Sequence, residues 1–199
     1  MAGAFPISTA QFQSLGIKSI QNTIISKSVS GKKLARQIDG QRWAFTIQII
    51  TAKRSDVYGE LMAFIVKQRS GKENFTIVPP EVEDARGTAS GTPNGTASAG
   101  ATSITLGGTG TGTLKAGDFI KFANHDKVYM VVADQSDIST GSLTIEPPLT
   151  TAVSSSDITY DNVPFTVYLT NDIQEFGVVG ADKDGNLLYQ FEFDVEEAL

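Results

Sequence analysis

The chain carries one histidine, His125, in "FANHDKVYM", and no cysteine. Histidine is the usual base near neutral pH. Here it stands between Asn124 and Asp126 in a turn sequence, with no second histidine to begin a metal set. No G-x-S-x-G elbow supplies a nucleophile. The lack of cysteine removes disulfides, thiolate nucleophiles and cysteine zinc sites together. His125 therefore reads as a turn residue.

Carboxylates offer two other openings. "DKDGN", Asp182 to Asn186, superficially resembles a calcium loop. Such a loop needs glycine sixth and glutamate twelfth. Here Gly185 is fourth and Phe193 is twelfth, so the segment reads as a turn before a strand. Glu192, Asp194, Glu196 and Glu197 cluster near the C-terminal end. Two carboxylates on one strand face suit glycoside hydrolysis. The commoner use of such a row is a solvated face, or pairing with Lys and Arg of a neighbouring strand or subunit.

"GGTGTGTLKAGD" is glycine-rich but lacks the P-loop spacing and its strand–loop–helix setting. Phe119, Phe122 and Tyr129 would suit a small barrel that stacks bases or sugars. The net charge of -6 favours their use as core instead, and makes a nucleic-acid partner unfavourable. No catalytic, cofactor-binding or metal-binding residue is assigned. The expectation is a non-enzyme without a cofactor.

Two strands and a helix give the pattern its clearest signals. In "QRWAFTIQIITA", Trp43, Phe45, Ile47 and Ile49 alternate with smaller or polar residues, as in a half-buried strand. Leu187, Tyr189, Phe191, Phe193 and Val195 do the same near the end. Between Ser55 and Arg69, Val57, Leu61, Phe64 and Ile65 share one helical face. Ser55 is the expected N-cap and Gly71 the residue just past the helix. Ile17 to Ile38 reads as strand, turn at Ser30-Gly31, strand, with a hairpin signal at Asp39-Gly40. "NFTIVPP" is a short strand stopped by proline. "GDFIKFA", "KVYMVVA", "SLTIEPPL" and "VPFTVYLT" are further strands, and Ser154 to Asp157 is a turn.

The 199 residues are 40% apolar and 19% charged, which is globular rather than disordered. No apolar run approaches the ~20 residues of a membrane helix. "MAGAFPISTAQF" has no basic segment followed by an apolar one, so no signal peptide is expected. From Gly87 onward, however, the chain is almost all Gly, Thr, Ala and Ser for some twenty residues. Such residues bury too little apolar area to offset their ordering entropy. The two best amphipathic strands lie on either side of this stretch, and a common core for them makes the middle an insertion. The reading is a mainly β protein. Its core is formed by 1–86 plus 162–199, with a flexible linker at 87–96 and a small inserted domain at 97–161, with "ATSITLGG" a candidate first strand. The linker, lacking proline-rich stiffening, would leave that domain mobile. The other reading is one large β-sandwich with a floppy loop.

Laid end to end, these segments resemble a known family. "RQIDGQRWAFTIQIITAKRSDVYGELMAFIVKQRSGKENFTIVPP" is followed by "LKAGDFIKFANHDKVYMVVAD", "LTIEPPL", "VPFTVYLTNDIQEF" and a terminal strand ending in Glu. The chain is similar to distal tail proteins, or related minor tail and baseplate proteins, of tailed bacteriophages. The resemblance implies a β-sandwich or barrel core with one helix and a small inserted β-barrel of the oligonucleotide/oligosaccharide-binding kind. It also implies a structural virion protein, assembled in the host cytoplasm into a ring, commonly a hexamer. That ring joins the tail tube to the hub and the host-recognition parts. The alternative is a carbohydrate-binding or partner-binding β module acting in host attachment.

Overall fold

The computed structural model describes residues 3–7, 11–38, 40–80 and 82–199. Asp39, half of the expected Asp39-Gly40 hairpin signal, lies outside the described residues. Among the described residues, fourteen strands and one α-helix form a main sheet, a closed barrel and a projecting hairpin. The mainly β architecture with a barrel in mid-chain matches the sequence expectation.

The main sheet has six strands. β1 (Phe12–Ile20) pairs antiparallel with β4 (Arg42–Lys53), from Ile20 opposite Arg42 to Phe12 opposite Ile49. β2 (Thr23–Lys27) and β3 (Lys33–Gln37) extend this pair beyond the sheet as a separate hairpin. β14 (Leu187–Glu197) lies along β4, so the two best-patterned strands do share a core. Its far side is divided between β13 (Gly177–Ala181) and β12 (Phe165–Leu169). β5 (Phe75–Ile77) closes the sheet beyond β12.

The alternation decides which face is apolar. Trp43, Phe45, Ile47 and Ile49 of β4 and Phe191, Phe193 and Val195 of β14 point to the same buried face. Thr46, Gln48 and Asp194 lie on the opposite, polar face, where Lys18 and Ser14 of β1 bond to Thr46 and Gln48. The apolar face is covered by α1 (Gly59–Lys67) and by the wall of the barrel.

The helix starts differently from the expectation. A π-helical turn, Arg54–Tyr58, precedes α1. Ser55 is no cap: its hydroxyl bonds to Asp56. The wide turn lets two successive residues, Val57 and Tyr58, face the core, and the Tyr58 hydroxyl donates to the Ile50 carbonyl at 3.0 Å. Leu61 and Ile65 are fully buried, whereas Phe64 lies half-buried at the rim against Phe5 and Phe75. After the helix the left-handed residues are Arg69 and Ser70, not Gly71.

The barrel closes in the order β10-β7-β6-β11-β8-β9. These strands are β6 (Pro93–Ala97), β7 (Ser103–Gly108), β8 (Phe119–Phe122), β9 (Val128–Val131), β10 (Ser142–Glu146) and β11 (Val153–Thr159). Two of them arise where the sequence suggested none. β6 begins inside the segment read as a flexible linker and ends one residue beyond it, and β11 covers the Ser154–Asp157 turn. Gly95 of β6 explains the first. A Cβ there would meet Ile104 at 2.7 Å and Phe122 at 2.8 Å, so only glycine lets this strand lie so close to the barrel core. β11 buries Val153 and Ile158 and turns its serines outward, with a register shift between Val153 and Ser156. Upstream, Ser90 and Thr111 exchange backbone hydrogen bonds at 2.9 Å, so 87–96 is part of the wall.

Candidate functional site at the junction of barrel and sheet

β8 and β9 have two working faces. Ile120, Phe122, Tyr129 and Val131 point into the barrel. Phe119 and Val128 point out of it and join the core of the main sheet. Phe119 meets Trp43 edge-on at 5.0 Å between ring centroids and Phe165 at 5.6 Å. Trp43 is thus the hinge of the packing, and its indole Nε1 donates to the Val128 carbonyl at 2.9 Å.

Beside this contact lies a buried ion pair. Lys127, just before β9, is 2% exposed and Glu197, the last residue of β14, is 0% exposed. The Lys127 ammonium bonds to Glu197 Oε2 and donates to Gln41 Oε1 at 2.9 Å. Glu197 Oε1 accepts the Val128 N–H at 2.8 Å, and its Oε2 accepts the Trp43 N–H at 3.1 Å. Gln41 passes the chain on to the Ser19 hydroxyl at 3.0 Å. Lys127 also lies over the Trp43 ring, 5.8 Å from its centroid. Burial pushes the Lys127 amine below its ordinary value, with the Glu197 charge opposing that shift.

This cluster ties four segments of chain, at Ser19, Gln41–Trp43, Lys127–Val128 and Glu197. Glu197 and Gln41 each border an open surface pocket, but the ion pair itself is buried and hydrogen-bonded within the latch. Its chemistry is positional: a desolvated charge pair whose full satisfaction demands one orientation of the barrel against the sheet. The mobile attachment expected from the glycine-rich sequence is therefore replaced by a specified one. Pattern alone contained a signal for it. Phe191, Phe193 and Val195 set the inward face of β14, and the next inward position is Glu197. A carboxylate there requires a buried partner.

The other residues singled out in the sequence fall into separate places. The His125 ring bonds to the Tyr129 hydroxyl at 2.8 Å and to Asn124 Oδ1 at 2.9 Å, and burial lowers its basicity. Tyr129 bonds on to Thr150. His125 thus braces a turn against the barrel interior. Phe119, Phe122 and Tyr129 are all buried, so they form no exposed stacking platform. Glu192 is exposed, Asp194 accepts from Thr46, and Glu196 holds Arg42 at 2.8 Å. Asp182 caps its own turn, accepting from the Asp184 and Asn186 N–H groups at 2.9 Å, and its other oxygen holds Lys53 at 2.6 Å. That ammonium occupies the place a cation would take. Among the described residues no group of His, Asp and Glu is arranged to hold a metal, and no helix is long and apolar enough to cross a membrane.

The barrel segment is closed at its base. The Val163 N–H donates to the Glu83 carbonyl at 3.0 Å, and the Asn162 N–H to Asp84 Oδ1 at 3.0 Å. Comparison with known families matches the stretch between these clasps, residues 83–163, to the model described as distal tail protein pb9, B domain. Residues 83–163 are similar to that B domain. The match supports a distal tail protein of tailed phages, a structural role in the phage tail and a place in the virion. A search of curated proteins returned no match. The matched stretch begins at Glu83 and so takes in β6 and the strand-like stretch before it.

Proposed function

We propose that this chain is a non-enzymatic component of the distal tail that assembles with copies of itself into a ring, a hexamer by the family's habit. The ring joins the tail tube to the hub and the host-recognition parts, and it forms in the host cytoplasm. The observation that carries this reading is the distal-tail match falling on a barrel clasped at its base and latched to the main sheet by Lys127, Glu197 and Trp43. A connector must transmit position rather than turn over substrate, and a buried, satisfied latch suits that task. Among the described residues the open edges of the main sheet, β1 and β13, suit assembly, since an unpaired edge invites strand pairing.

We further infer that 83–163 is an inserted domain and the rest a second one. In its support, Ile77 of β5 sits opposite Phe165 of β12, so the chain leaves the main sheet and re-enters it at one rung. The test of function is imaging of assembled particles with the chain tagged on the barrel surface. Label in a ring at the tail end is the expected result. Its absence from the particle, or hydrolysis of a glycan or peptide by the pure protein, would overturn the reading.

A further inference from the structure

The turn between β8 and β9 holds the chain's single histidine and leads straight into the latch. On its other side it is clipped to the segment between β10 and β11. Asn124 Nδ2 donates to the Ala152 carbonyl at 2.9 Å. That bond fixes the amide, so Asn124 turns its Oδ1 to the ring and accepts from His125 Nδ1 at 2.9 Å. Nδ1 therefore carries the proton. Nε2 is bare and accepts the Tyr129 hydroxyl at 2.8 Å. Tyr129 is 0% exposed, and its oxygen accepts the Thr150 N–H at 3.1 Å and the Thr150 hydroxyl at 3.0 Å. This arrangement of donors and acceptors satisfies the whole relay, and it uses a neutral ring.

The surroundings favour that neutral form. Phe122 stacks on the ring with centroids 5.8 Å apart. Burial pushes the imidazole below its ordinary 6.5; the Asp126 charge opposes the shift and the Lys121 charge adds to it. Those two bond to each other at 2.9 Å, and Lys121 also reaches the Pro164 carbonyl at 3.4 Å. From β11 the Asp157 carbonyl accepts the Ala123 N–H at 3.0 Å, while Asp157 itself is exposed. Behind Tyr129 stand Glu197, whose charge reaches its hydroxyl, and Lys127 paired with Glu197. Residues 147–152 bring no charge. A proton on Nε2 would set a donor against the Tyr129 donor and press a cation onto buried Phe122 and Tyr129. The unfolded chain takes up this proton first as pH falls. The clip therefore holds fully above about pH 6.5 and is lost as pH drops through the lower folded value.

We propose that His125 is a proton-operated clip on the junction of barrel and sheet: once protonated, its ring leaves Tyr129, the 123–126 turn parts from Thr150 and Ala152, and the latch loosens at Lys127 and Val128. The turn is the side that moves. Leu149 stays tied by its N–H to the Ala101 carbonyl at 2.9 Å and by its carbonyl to the Gly100 N–H at 2.7 Å. Ala123, Asn124 and Asp126 are exposed, so a small shift of the turn brings the imidazolium into water. Lys127 is only two residues from His125 and lies over the Trp43 ring, and the Trp43 indole donates to the Val128 carbonyl. Movement of the turn therefore acts on both of its contacts to the sheet. The barrel grips the sheet firmly near neutral pH and less firmly in mild acid, whatever the number of copies in the assembled tail.

The experiment uses the full, untagged chain, which has one histidine and one tryptophan. Proton NMR of the His125 ring reads the clip, and Trp43 emission reads the junction. The expected His125 midpoint lies below 6.5, and Trp43 emission should shift to the red in a step with the same midpoint. A His125 midpoint at or above 6.5 overturns the proposal, and so does a Trp43 signal that has no step at that pH. His125→Gln keeps an acceptor for the Tyr129 hydroxyl and cannot take up the proton, so it should abolish the step. A step that survives in it belongs to another group, such as Glu197, and contradicts the clip. Asp126→Asn removes the charge that opposes the shift, so it should lower the His125 midpoint further and carry the Trp43 step with it. A Trp43 step that stays in place while His125 moves would separate the turn from the latch and overturn the coupling.

Discussion

Two charged residues dominate at the residue scale, and they act oppositely to the exposed ones. Lys127 and Glu197 are desolvated, so removing one partner strands the other. Lys127→Met should destabilise the protein by about 3 kcal/mol in urea unfolding, and pairing it with Glu197→Gln should recover part of that loss. A loss within the ~0.5 kcal/mol typical of surface changes would mean that the latch is not closed. Asp182 is solvated and works through pH. Its hydrogen bond with Lys53, then those from Asn186, hold its carboxyl below the ordinary 3.8. The unfolded chain thus takes up the proton first as pH falls. The stabilisation is complete above the unfolded value and is lost as pH drops below about 4. Asp126, held down by Lys121, and Asp137, held down by Ser139, lose theirs in the same window. Burial raises Glu83 and Asp161, so those two favour the fold most when protonated. Asp182→Asn should therefore lower Tm at about pH 6 and shrink the further fall between about pH 6 and about pH 3. An unchanged acid limb would show that the turn carries no such linkage.

At the scale of elements, the legible parts were those whose pattern serves one buried face. β4 and β14 alternate cleanly because one side meets water, and their pairing followed from that. The helix face was legible at Leu61 and Ile65 but not at its start, because the π turn that admits Tyr58 has no periodic signature. Leu61→Ala should lose about 3 kcal/mol, while Phe64→Ala at the rim should lose less. Equal losses would put Phe64 in the core. β6 and β11 were illegible for a different reason: small residues there serve close approach, and their hydrogen bonds come from neighbours distant in sequence. Gly87 makes this testable. A Cβ at Gly87 would run into the Thr113 carbonyl, so Gly87→Ala should lower Tm measurably. A true linker residue would tolerate that change. The latch itself was half legible, in the inward position of Glu197, but its partner Lys127 is named only by the way the barrel turns back onto the sheet.

At the scale of the whole molecule, the fold is a main sheet whose apolar face is completed by a barrel that the same chain builds between two adjacent strands. Removing 83–163 and bridging Val82 to Pro164 with a short Gly/Ser link spares the rung between Ile77 and Phe165. It also uncovers Trp43 and Glu197. The truncated chain should retain β structure by circular dichroism yet melt well below the whole protein, and adding Glu197→Gln should raise its Tm. A truncated chain with no folded signal would mean that the main sheet cannot stand without the barrel wall. The proposed function makes the protein a ring at the distal tail. The measurement that tests it most directly is electron microscopy of assembled virions carrying a tag at the exposed Thr140–Gly141 turn of the barrel. A closed ring of density at the tail end, marked once per copy, is the result this account predicts. Label elsewhere on the particle, or a single copy at the tip, would contradict it.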